Sequence, residues 1–263
     1  MGRIGKRFQC ILVQNKKAFI PFFTAFYPSK DIFVELLLRA DDAGADFIEI
    51  GIPFSDPLAD GKMIQHSSQW VLRERFRMSE FFEETRKIRV RLRASIILMS
   101  YFNPLLRRGI PELAAELDDV GVDGVIVSDV PLEESYPIQK SLSGRGIDLI
   151  HLLTPTTEEQ RMKRIFRETH GFVYVVSLTG TTGMREKLPS DSIEYIKKIR
   201  KETTKPLCLG FGISGTHQAR MAAKLSDGVI IGSALVNRIK GREFDRSIPK
   251  EIGAYMKKLR EAV

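Results

Sequence analysis

Short apolar runs alternate along the chain with longer segments that mix apolar and charged residues. Eight of the apolar runs have the length of strands, and they cover residues 18–24, 47–51, 94–101, 124–128, 148–153, 172–177, 206–210 and 228–231. Parallel strands that are covered on both faces have nearly continuous apolar runs of this kind. The segments between the runs carry apolar residues at helical spacing, as Ile32, Leu36 and Ala40 do after the first run.

This alternation predicts an α/β fold with a parallel sheet, because strands and helices are not segregated along the chain. Eight units favour closure into a barrel over a doubly wound sheet, and barrels of this length form one domain. We therefore predict a single-domain (β/α)8 TIM barrel over residues 1–263. Ile4, Phe8 and Ile11 predict an extra N-terminal helix, which covers the barrel bottom or packs beside it.

Composition and charge limit the function classes. The chain of 263 residues is 43% hydrophobic and 28% charged, as ordinary globular proteins are. Its net charge is +8, and the densest basic stretch, residues 73–93, contains seven arginines. Because this stretch also contains four glutamates and no nucleic-acid motif accompanies it, we interpret it as a solvated helical face and expect no nucleic-acid partner. The alternative is a surface that attracts anions, including a phosphorylated substrate.

Cysteine usage and hydropathy bear on location. The two cysteines, Cys10 and Cys208, cannot form a disulfide scaffold for a chain of this size, which favours the reducing cytoplasm. No apolar run approaches the ~18–20 residues that a membrane span requires, so we expect no membrane partner. The four histidines lack metal-ligand spacing, and we predict no metal site.

A carboxylate lies within the second apolar run. Successive side chains of a strand point to opposite faces, so Glu49 shares one face with Phe47 and Gly51, opposite the two isoleucines of the run. The isoleucines suit the helix-facing layer, which places Glu49 inside the barrel at the strand end where catalytic groups lie in this fold. Burial would raise its pKa towards neutrality, which suits proton transfer in both directions. The alternative is a buried glutamate that is hydrogen-bonded for packing.

The loop that follows, residues 52–61, is long and carries two prolines and two aspartates. Loops after barrel strands carry function. Asp60 precedes Gly61 and a helix-like segment, so a helix N-cap explains it as well as a catalytic acid does. Asp56 precedes Pro57, and a turn explains it.

Residues 48–61 read IEIGIPFSDPLADG, and this stretch resembles the signature of the tryptophan synthase α chain family. The resemblance extends from about residue 3 to 240, supported by segments 21–22, 98–104, 129–134, 177–183, 210–214 and 232–236. It implies a lyase that cleaves indole-3-glycerol phosphate to indole and glyceraldehyde 3-phosphate without a metal or organic cofactor. Glu49 is then the general acid and base, and Asp60 is the carboxylate that stabilises positive charge on the ring nitrogen.

The resemblance also implies a substrate pocket. Phe22 and Tyr101, at the ends of the first and third strands, would line its indole side. Thr182 would help to order a closed state of the loop 178–189. Tyr174 resembles a family tyrosine near the reacting carbon, although an aromatic side chain that fills the barrel explains it equally well.

Glycines recur at the ends of the last strands. Residues 210–215 match G-x-G-x-x-G, but they lie in the seventh unit, and the next strand lacks the acidic residue of a dinucleotide site. A phosphate site built from the loops after strands seven and eight fits better. We expect Gly212, Gly232 and Ser233 to hold the phosphate. The family resemblance implies that Gly183 reaches it from the loop 178–189. Plain turns that need glycine are the alternative.

A partner follows from the same resemblance. The implied function is that of the α subunit of an α2β2 heterotetramer, which passes indole to a β chain for tryptophan synthesis. A free-standing indole-glycerol-phosphate lyase, a non-catalytic activator of a β chain and another phosphate-binding barrel remain alternatives. The rim residues that match the family and would face the β chain are Pro53, Asp56, Asn103, Pro104, Asp129 and Pro131.

Two positions depart from the family pattern. Phe26 stands where the family has glycine, which puts the loop after the first strand in doubt. Lys62 stands where the family has proline, so a preset helix start is missing. If Lys62 reached Asp60, it would lower the pKa of that carboxylate.

Overall fold

The computed structural model describes residues 2–176, 190–210 and 212–263. Nine strands lie within these residues: β1 Ala18–Thr24, β2 Phe47–Gly51, β3 Ser95–Ser100, β4 Val122–Val127, β5 Asp148–Ile150, β6 Leu152–Leu153, β7 Val173–Val176, β8 Leu207–Gly210 and β9 Gly228–Ile231. The same residues contain twelve α-helices: α1 Arg3–Val13, α2 Lys30–Asp42, α3 Lys62–Arg73, α4 Met78–Arg89, α5 Phe102–Leu106, α6 Ile110–Asp119, α7 Tyr136–Ser143, α8 Glu159–Glu168, α9 Ser190–Glu202, α10 Thr216–Leu225, α11 Ser233–Ile239 and α12 Ile248–Arg260.

The strands form one parallel sheet in the order β5-β4-β3-β2-β1-β9-β8-β7-β6. Its two end strands, β5 and β6, are separated along the chain by His151 alone, so the sheet closes on itself as a barrel. The predicted TIM barrel and its eight strand positions are confirmed. The fifth strand, predicted as continuous over 148–153, is interrupted, because the His151 N–H donates to Thr169 Oγ1 at 2.9 Å and leaves the ladder.

Helix α1 closes the bottom of the barrel. Phe8 stacks on Phe47 with ring centroids 4.8 Å apart, and it also packs against Phe172 at 5.4 Å. With Ile4 and Ile11, Phe8 forms one apolar cluster with the interior side chains of the strands. The extra N-terminal helix is confirmed, and of its two predicted positions it takes the one that covers the barrel bottom.

The other helices pack around the barrel against a second, larger apolar cluster. Ile48 and Ile50 of β2 belong to this outer cluster, whereas Phe47 belongs to the interior cluster. The alternation predicted for β2 is therefore confirmed, and it places Glu49 on the interior face. Across the described part of the chain, no helix has both the length and the apolar character that crossing a membrane demands.

Phe26, in the loop after β1, has a φ of +63°. This left-handed region favours glycine, and a non-glycine residue there costs about 1–3 kcal/mol. The Phe26 side chain is buried against Phe33, Phe76 and Phe81, with ring centroids 5.6 to 6.2 Å away. These contacts offset the backbone cost, so the loop holds a conformation suited to glycine although phenylalanine occupies the position.

Candidate active site

Glu49 lies inside the barrel near the C-terminal end of β2, in register with Phe22 of β1 and Ile97 of β3. Its side chain is fully buried, and among the described residues neither carboxylate oxygen has a hydrogen-bond partner. Burial, and then the charge of Asp60, raises the pKa of Glu49 to about 8. The predicted interior position and rise in pKa are confirmed. A missing partner argues against a glutamate that is kept for packing alone.

Asp60 lies at the end of the loop after β2. The N-cap residue of α3 is Gly61, so the capping interpretation of Asp60 is wrong. Burial raises the pKa of Asp60 to about 6, against the lowering effect of a hydrogen bond from the Tyr101 hydroxyl. The same hydroxyl accepts the Ala59 N–H at 2.9 Å. Tyr101 therefore fixes the end of this loop and contacts its carboxylate.

Lys62 has little influence on this carboxylate. It is the first residue of α3, which starts there without a proline, and its side chain is exposed. The pKa of Asp60 responds to burial and to Tyr101, so the lowering that Lys62 would cause on contact does not occur.

A small cleft opens at this end of the barrel, and its walls include Phe22, Gly51, Asp60 and Tyr101. Glu49 lies one interior layer beneath Gly51, about 7 Å along the strand. The ring of Phe22 leaves no room for a side chain at Gly51, where a Cβ would lie 2.5 Å from it. The structure therefore brings Phe22, Asp60 and Tyr101 together around one cleft, with Glu49 one layer below it.

Tyr174 faces Glu49 across the barrel, since β7 and β2 are four strand positions apart in either direction around the ring when β5 and β6 are counted as one interrupted strand. Its side chain is 7% exposed and packs beside Phe172, with ring centroids 6.3 Å apart. A Cβ at Gly210 would lie 2.6 Å from the Tyr174 hydroxyl oxygen, so glycine leaves room for the phenol. Burial, and then the charge of Glu49, raises the pKa of Tyr174. Tyr174 thus fills the barrel and also lies within the field of the acid.

The residues predicted to hold phosphate lie on the loops after β8 and β9. Gly212 is exposed, and a Cβ placed on it would meet no atom within 4 Å. Gly232 is the N-cap of α11, and Ser233 is its first residue. The backbone N–H groups of a first helical turn lack partners within the helix and favour negative charge. Thr182 and Gly183, also predicted for the substrate site, lie outside the described residues.

Sequence reasoning missed Tyr255, a residue of α12 that holds the loop after β8. Its hydroxyl donates to the carbonyl oxygen of Ser214 at 3.0 Å. The guanidinium carbon of Arg238, on α11, lies 3.7 Å from the centre of the Tyr255 ring. One side chain thereby connects the loop after β8 with helix α11. Local patterns give no signal for it, because Tyr255 and Ser214 are 41 residues apart.

Sequence reasoning also missed Ser128, which lines the same cleft as Asp60. The Ser128 hydroxyl is buried and has no hydrogen-bond partner among the described residues. Ile126 belongs to the interior cluster, and strand alternation places the residue two positions further on the same face. The pattern that identified Glu49 could therefore have identified Ser128.

The rim residues predicted to meet a partner lie on the connections after β2, β3 and β4. Two of these connections are joined, because the Phe102 N–H donates to the Asp129 carboxylate at 2.7 Å. One predicted residue, Pro53, is buried, so it offers no surface of its own. The other five are exposed or partly exposed: Asp56, Asn103, Pro104, Asp129 and Pro131.

Large apolar side chains are exposed on the same three connections. Leu58, Leu106 and Tyr136 are 85%, 50% and 66% exposed. Each belongs to a different connection, so together they extend the apolar character of the rim over three adjacent strands. Sequence reasoning did not select these three residues, because an isolated apolar residue in a loop carries no signal of exposure.

Comparison with known proteins places this barrel in a family. The family model described as "Tryptophan synthase alpha chain" matches residues 8–263. The tryptophan synthase alpha chain of Thermoanaerobacter sp. (strain X514) is 39% identical over 263 residues, which cover 100% of both chains. The crystal structure of the alpha chain from Legionella pneumophila subsp. pneumophila has a TM-score of 0.90 at 31% identity, covering 100% of this chain and 97% of that one. A chain of the tryptophan synthase complex from Pyrococcus furiosus has a TM-score of 0.85 at 34% identity, covering 92% and 97%.

Proposed function

The chain belongs to the tryptophan synthase alpha chain family, and from this premise we propose that Glu49 and Asp60 carry its chemistry. The alpha chain is the lyase subunit, which cleaves indole-3-glycerol phosphate to indole and glyceraldehyde 3-phosphate. The observation that carries the proposal is a fully buried Glu49 with a pKa of about 8 beside an Asp60 with a pKa of about 6. Two neighbouring carboxyl groups whose pKa values differ in this way can take separate roles near neutral pH.

The first step is protonation of the indole ring. Near pH 7 these pKa values keep Glu49 protonated and Asp60 ionised, so Glu49 donates its proton to C3 of the indole. Positive charge then develops on the ring nitrogen. The Asp60 carboxylate accepts a hydrogen bond from that N–H and stabilises the charge, while Tyr101 holds the carboxylate in place.

The second step breaks the carbon–carbon bond. The carboxylate now present on Glu49 removes the proton from the side-chain hydroxyl next to C3. The electron pair of the breaking bond returns to the indole ring, and the hydroxyl-bearing carbon becomes the aldehyde of glyceraldehyde 3-phosphate. Glu49 can serve in both directions because no described residue competes for its carboxyl group. Phe22 and Tyr174 border the reacting atoms on two sides.

The phosphate is assigned to the backbone N–H groups of Gly212, Gly232 and Ser233. The open space over Gly212 and the helix start at Gly232 support this assignment, since both leave backbone donors accessible to an anion. Gly183 and Thr182 keep the roles that the family resemblance implies, contact with the phosphate and ordering of the closed loop.

The partner is a tryptophan synthase β chain, which receives the indole, in an expected α2β2 assembly. The surface assigned to it consists of the exposed predicted rim residues together with Leu58, Leu106 and Tyr136. Exposed apolar residues that cluster on adjacent loops mark interaction sites. Pro53 contributes by shaping the loop after β2, because it is buried.

A cytoplasmic location is part of the same proposal. Both cysteines are free thiols, Cys10 exposed and Cys208 buried. A reducing compartment maintains thiols in this form. Recovery of the chain in the cytosolic fraction tests the assignment, and recovery in a secreted or membrane fraction contradicts it.

The decisive experiment on the chemistry is Glu49→Gln, which preserves shape but cannot transfer a proton. We expect kcat for indole formation to fall by about 10²–10⁴-fold. The matched control is Glu243→Gln, because Glu243 is also buried but bonds to Tyr27 and His66 away from the cleft. The control should form indole at a rate within about tenfold of wild type. Comparable rates in the Glu49 variant and wild type would refute this assignment.

A second experiment tests the partner surface. Adding a β chain to the isolated chain should accelerate indole release and form a complex that elutes early in size-exclusion chromatography. Leu58→Asp should weaken that complex, whereas Val90→Asp, a change at an equally exposed site after α4, should not. A rate of indole release that does not change when the β chain is added would favour a free-standing lyase.

A further inference from the structure

The Ser128 hydroxyl stands out among the polar groups of the cleft. Ser128 follows β4 directly, and its backbone N–H donates to the Ser100 carbonyl at 2.9 Å. Its Oγ is buried, and none of the described residues offers it a hydrogen bond. Two other hydroxyls of the cleft have hydrogen-bond partners. Thr24 Oγ1 lies 2.6 Å from Ser67 Oγ, and the Ser100 hydroxyl donates to the Tyr101 carbonyl oxygen at 2.9 Å.

The position of Ser128 in the ring of strands indicates which part of a substrate it meets. With β5 and β6 counted as the two halves of one interrupted strand, β4 and β9 are four strand positions apart in either direction, so they lie opposite each other. The loop after β9 carries Gly232 and Ser233, which are assigned to the phosphate. A substrate with its phosphate there and its ring against Asp60 therefore extends its ring end towards Ser128, which shares the cleft with Asp60.

The chemistry of this end of the cleft does not match unsubstituted indole. A buried hydroxyl is unfavourable unless it donates or accepts a hydrogen bond. The single polar atom of indole is its N–H, which Asp60 accepts. The benzo edge of the ring has only C–H groups, so the parent substrate leaves the Ser128 hydroxyl without a partner. A hydroxyl substituent on that edge would provide one.

We infer that Ser128 is a specificity-determining residue, which makes the cleft accept indole-3-glycerol phosphates whose benzo ring carries a hydroxyl group. This inference rests on the proposed function, because it assumes that the indole ring lies in this cleft. The further activity is cleavage of these hydroxylated substrates to the hydroxyindole and glyceraldehyde 3-phosphate, with Glu49 and Asp60 in unchanged roles.

The test uses the reverse condensation of an indole with glyceraldehyde 3-phosphate. In that direction C3 attacks the aldehyde carbon, the aldehyde oxygen takes the proton of Glu49, and the Glu49 carboxylate then takes the C3 proton. Wild type and Ser128→Ala are compared on indole and on the four benzo-ring hydroxyindoles. We expect the ratio of kcat/KM for at least one hydroxyindole to that for indole to fall about tenfold in the variant.

Ser100→Ala is the matched control, because it removes a cleft hydroxyl that already has a partner. It should change the rates for indole and for the hydroxyindoles by a common factor. An unchanged ratio for all four hydroxyindoles in Ser128→Ala overturns the inference alone. So does a loss that is largest for indole itself, because Ser128 would then serve the parent substrate. Failure of wild type to condense indole overturns the proposed function, and this inference with it.

Discussion

The two ends of the barrel differ in whether their buried and partly buried carboxylates have hydrogen-bond partners. At the bottom, Asp46, Asp123 and Asp227 stand at the starts of β2, β4 and β9. Each accepts a backbone N–H from the start of the strand before it in the chain, at 2.9 to 3.0 Å. At the top, Glu49 is more deeply buried than any of these, yet no described residue bonds to it.

This difference separates groups that stabilise the barrel from groups that are available to a ligand. Among the described residues, five buried polar side-chain atoms lack a partner, and three of them are the two Glu49 oxygens and the Ser128 hydroxyl. The others are Arg7 Nε in α1 and His151 Nε2 at the strand break. A buried polar group without a hydrogen-bond partner lowers the free energy of unfolding, so its presence in the cleft is typical of a functional site that is less stable than it could be. At the bottom, paired carboxylates are what stability alone favours.

The largest effect expected from this contrast is that of Asp60→Asn, which removes a charge from the top of the barrel. We expect indole formation to fall by about 10²–10³-fold, because the positive charge on the ring nitrogen loses its counterpart. The pKa of Glu49 should also fall, since the Asp60 charge is the second cause of its rise. Initial rates and infrared titration of the Glu49 carboxyl measure the two effects. An unaltered rate would mean that Asp60 does not face the substrate.

The pH profile of the isolated chain tests the same pair. The proposed roles require Asp60 ionised and Glu49 protonated, so kcat/KM should rise with pH through about 6 and fall through about 8. Beyond each limb the rate should change about tenfold per pH unit. Tyr101→Phe removes the hydrogen bond that lowers the pKa of Asp60, so the acidic limb should move to higher pH. A profile that is flat across both limbs would contradict the assigned protonation states.

At the barrel bottom, we expect a substitution to lower the stability and to leave the activity nearly unchanged. Asp123→Asn weakens the bond to the Ile96 N–H and removes a charge that lies 3.6 Å from Arg89. We expect the free energy of unfolding to fall by about 1.5–3 kcal/mol. The value of kcat/KM should stay within about twofold of wild type, since the cleft is at the other end. Urea unfolding and initial rates measure the two quantities, and a rate loss without destabilisation would break the comparison.

Glu49→Gln should show the reverse pattern in stability. The folded-state pKa of Glu49, about 8, is above its ordinary value of 4.5, so unfolding at neutral pH releases a proton. The contribution of Glu49 to the stability of wild type is therefore largest below pH 4.5 and decreases, on the order of 1 kcal/mol per pH unit, as pH rises to about 8. Glutamine does not titrate, so the variant should gain on wild type between about pH 5 and 8. Parallel pH dependences of the two proteins would show that Glu49 is ionised when folded.

The sequence predicted those features that depend on a period of two or 3.6 residues. Glu49 is an example, because strand alternation alone assigns its face. Asp60 remained ambiguous, since its place depends on how its loop folds against Tyr101, which is distant in sequence. The interruption at His151 was not predictable either, because it depends on a bond to Thr169 that competes with the strand ladder. Contacts between elements that are distant in sequence decide the place of Asp60 and the interruption at His151, and no local pattern records such contacts.

The smallest expected effect is that of Tyr255→Phe, which removes the hydrogen bond to the Ser214 carbonyl and keeps the ring beneath Arg238. The loop after β8 loses its bond from α12, so phosphate binding should weaken by about two- to tenfold. KM for indole-3-glycerol phosphate should rise by that factor, with kcat changed by less than about twofold because both carboxylates are untouched. The inhibition constant of inorganic phosphate, used as a competitive inhibitor, should rise by the same factor. An unchanged KM, or a loss confined to kcat, would show that the loop after β8 keeps its shape without the hydrogen bond from Tyr255.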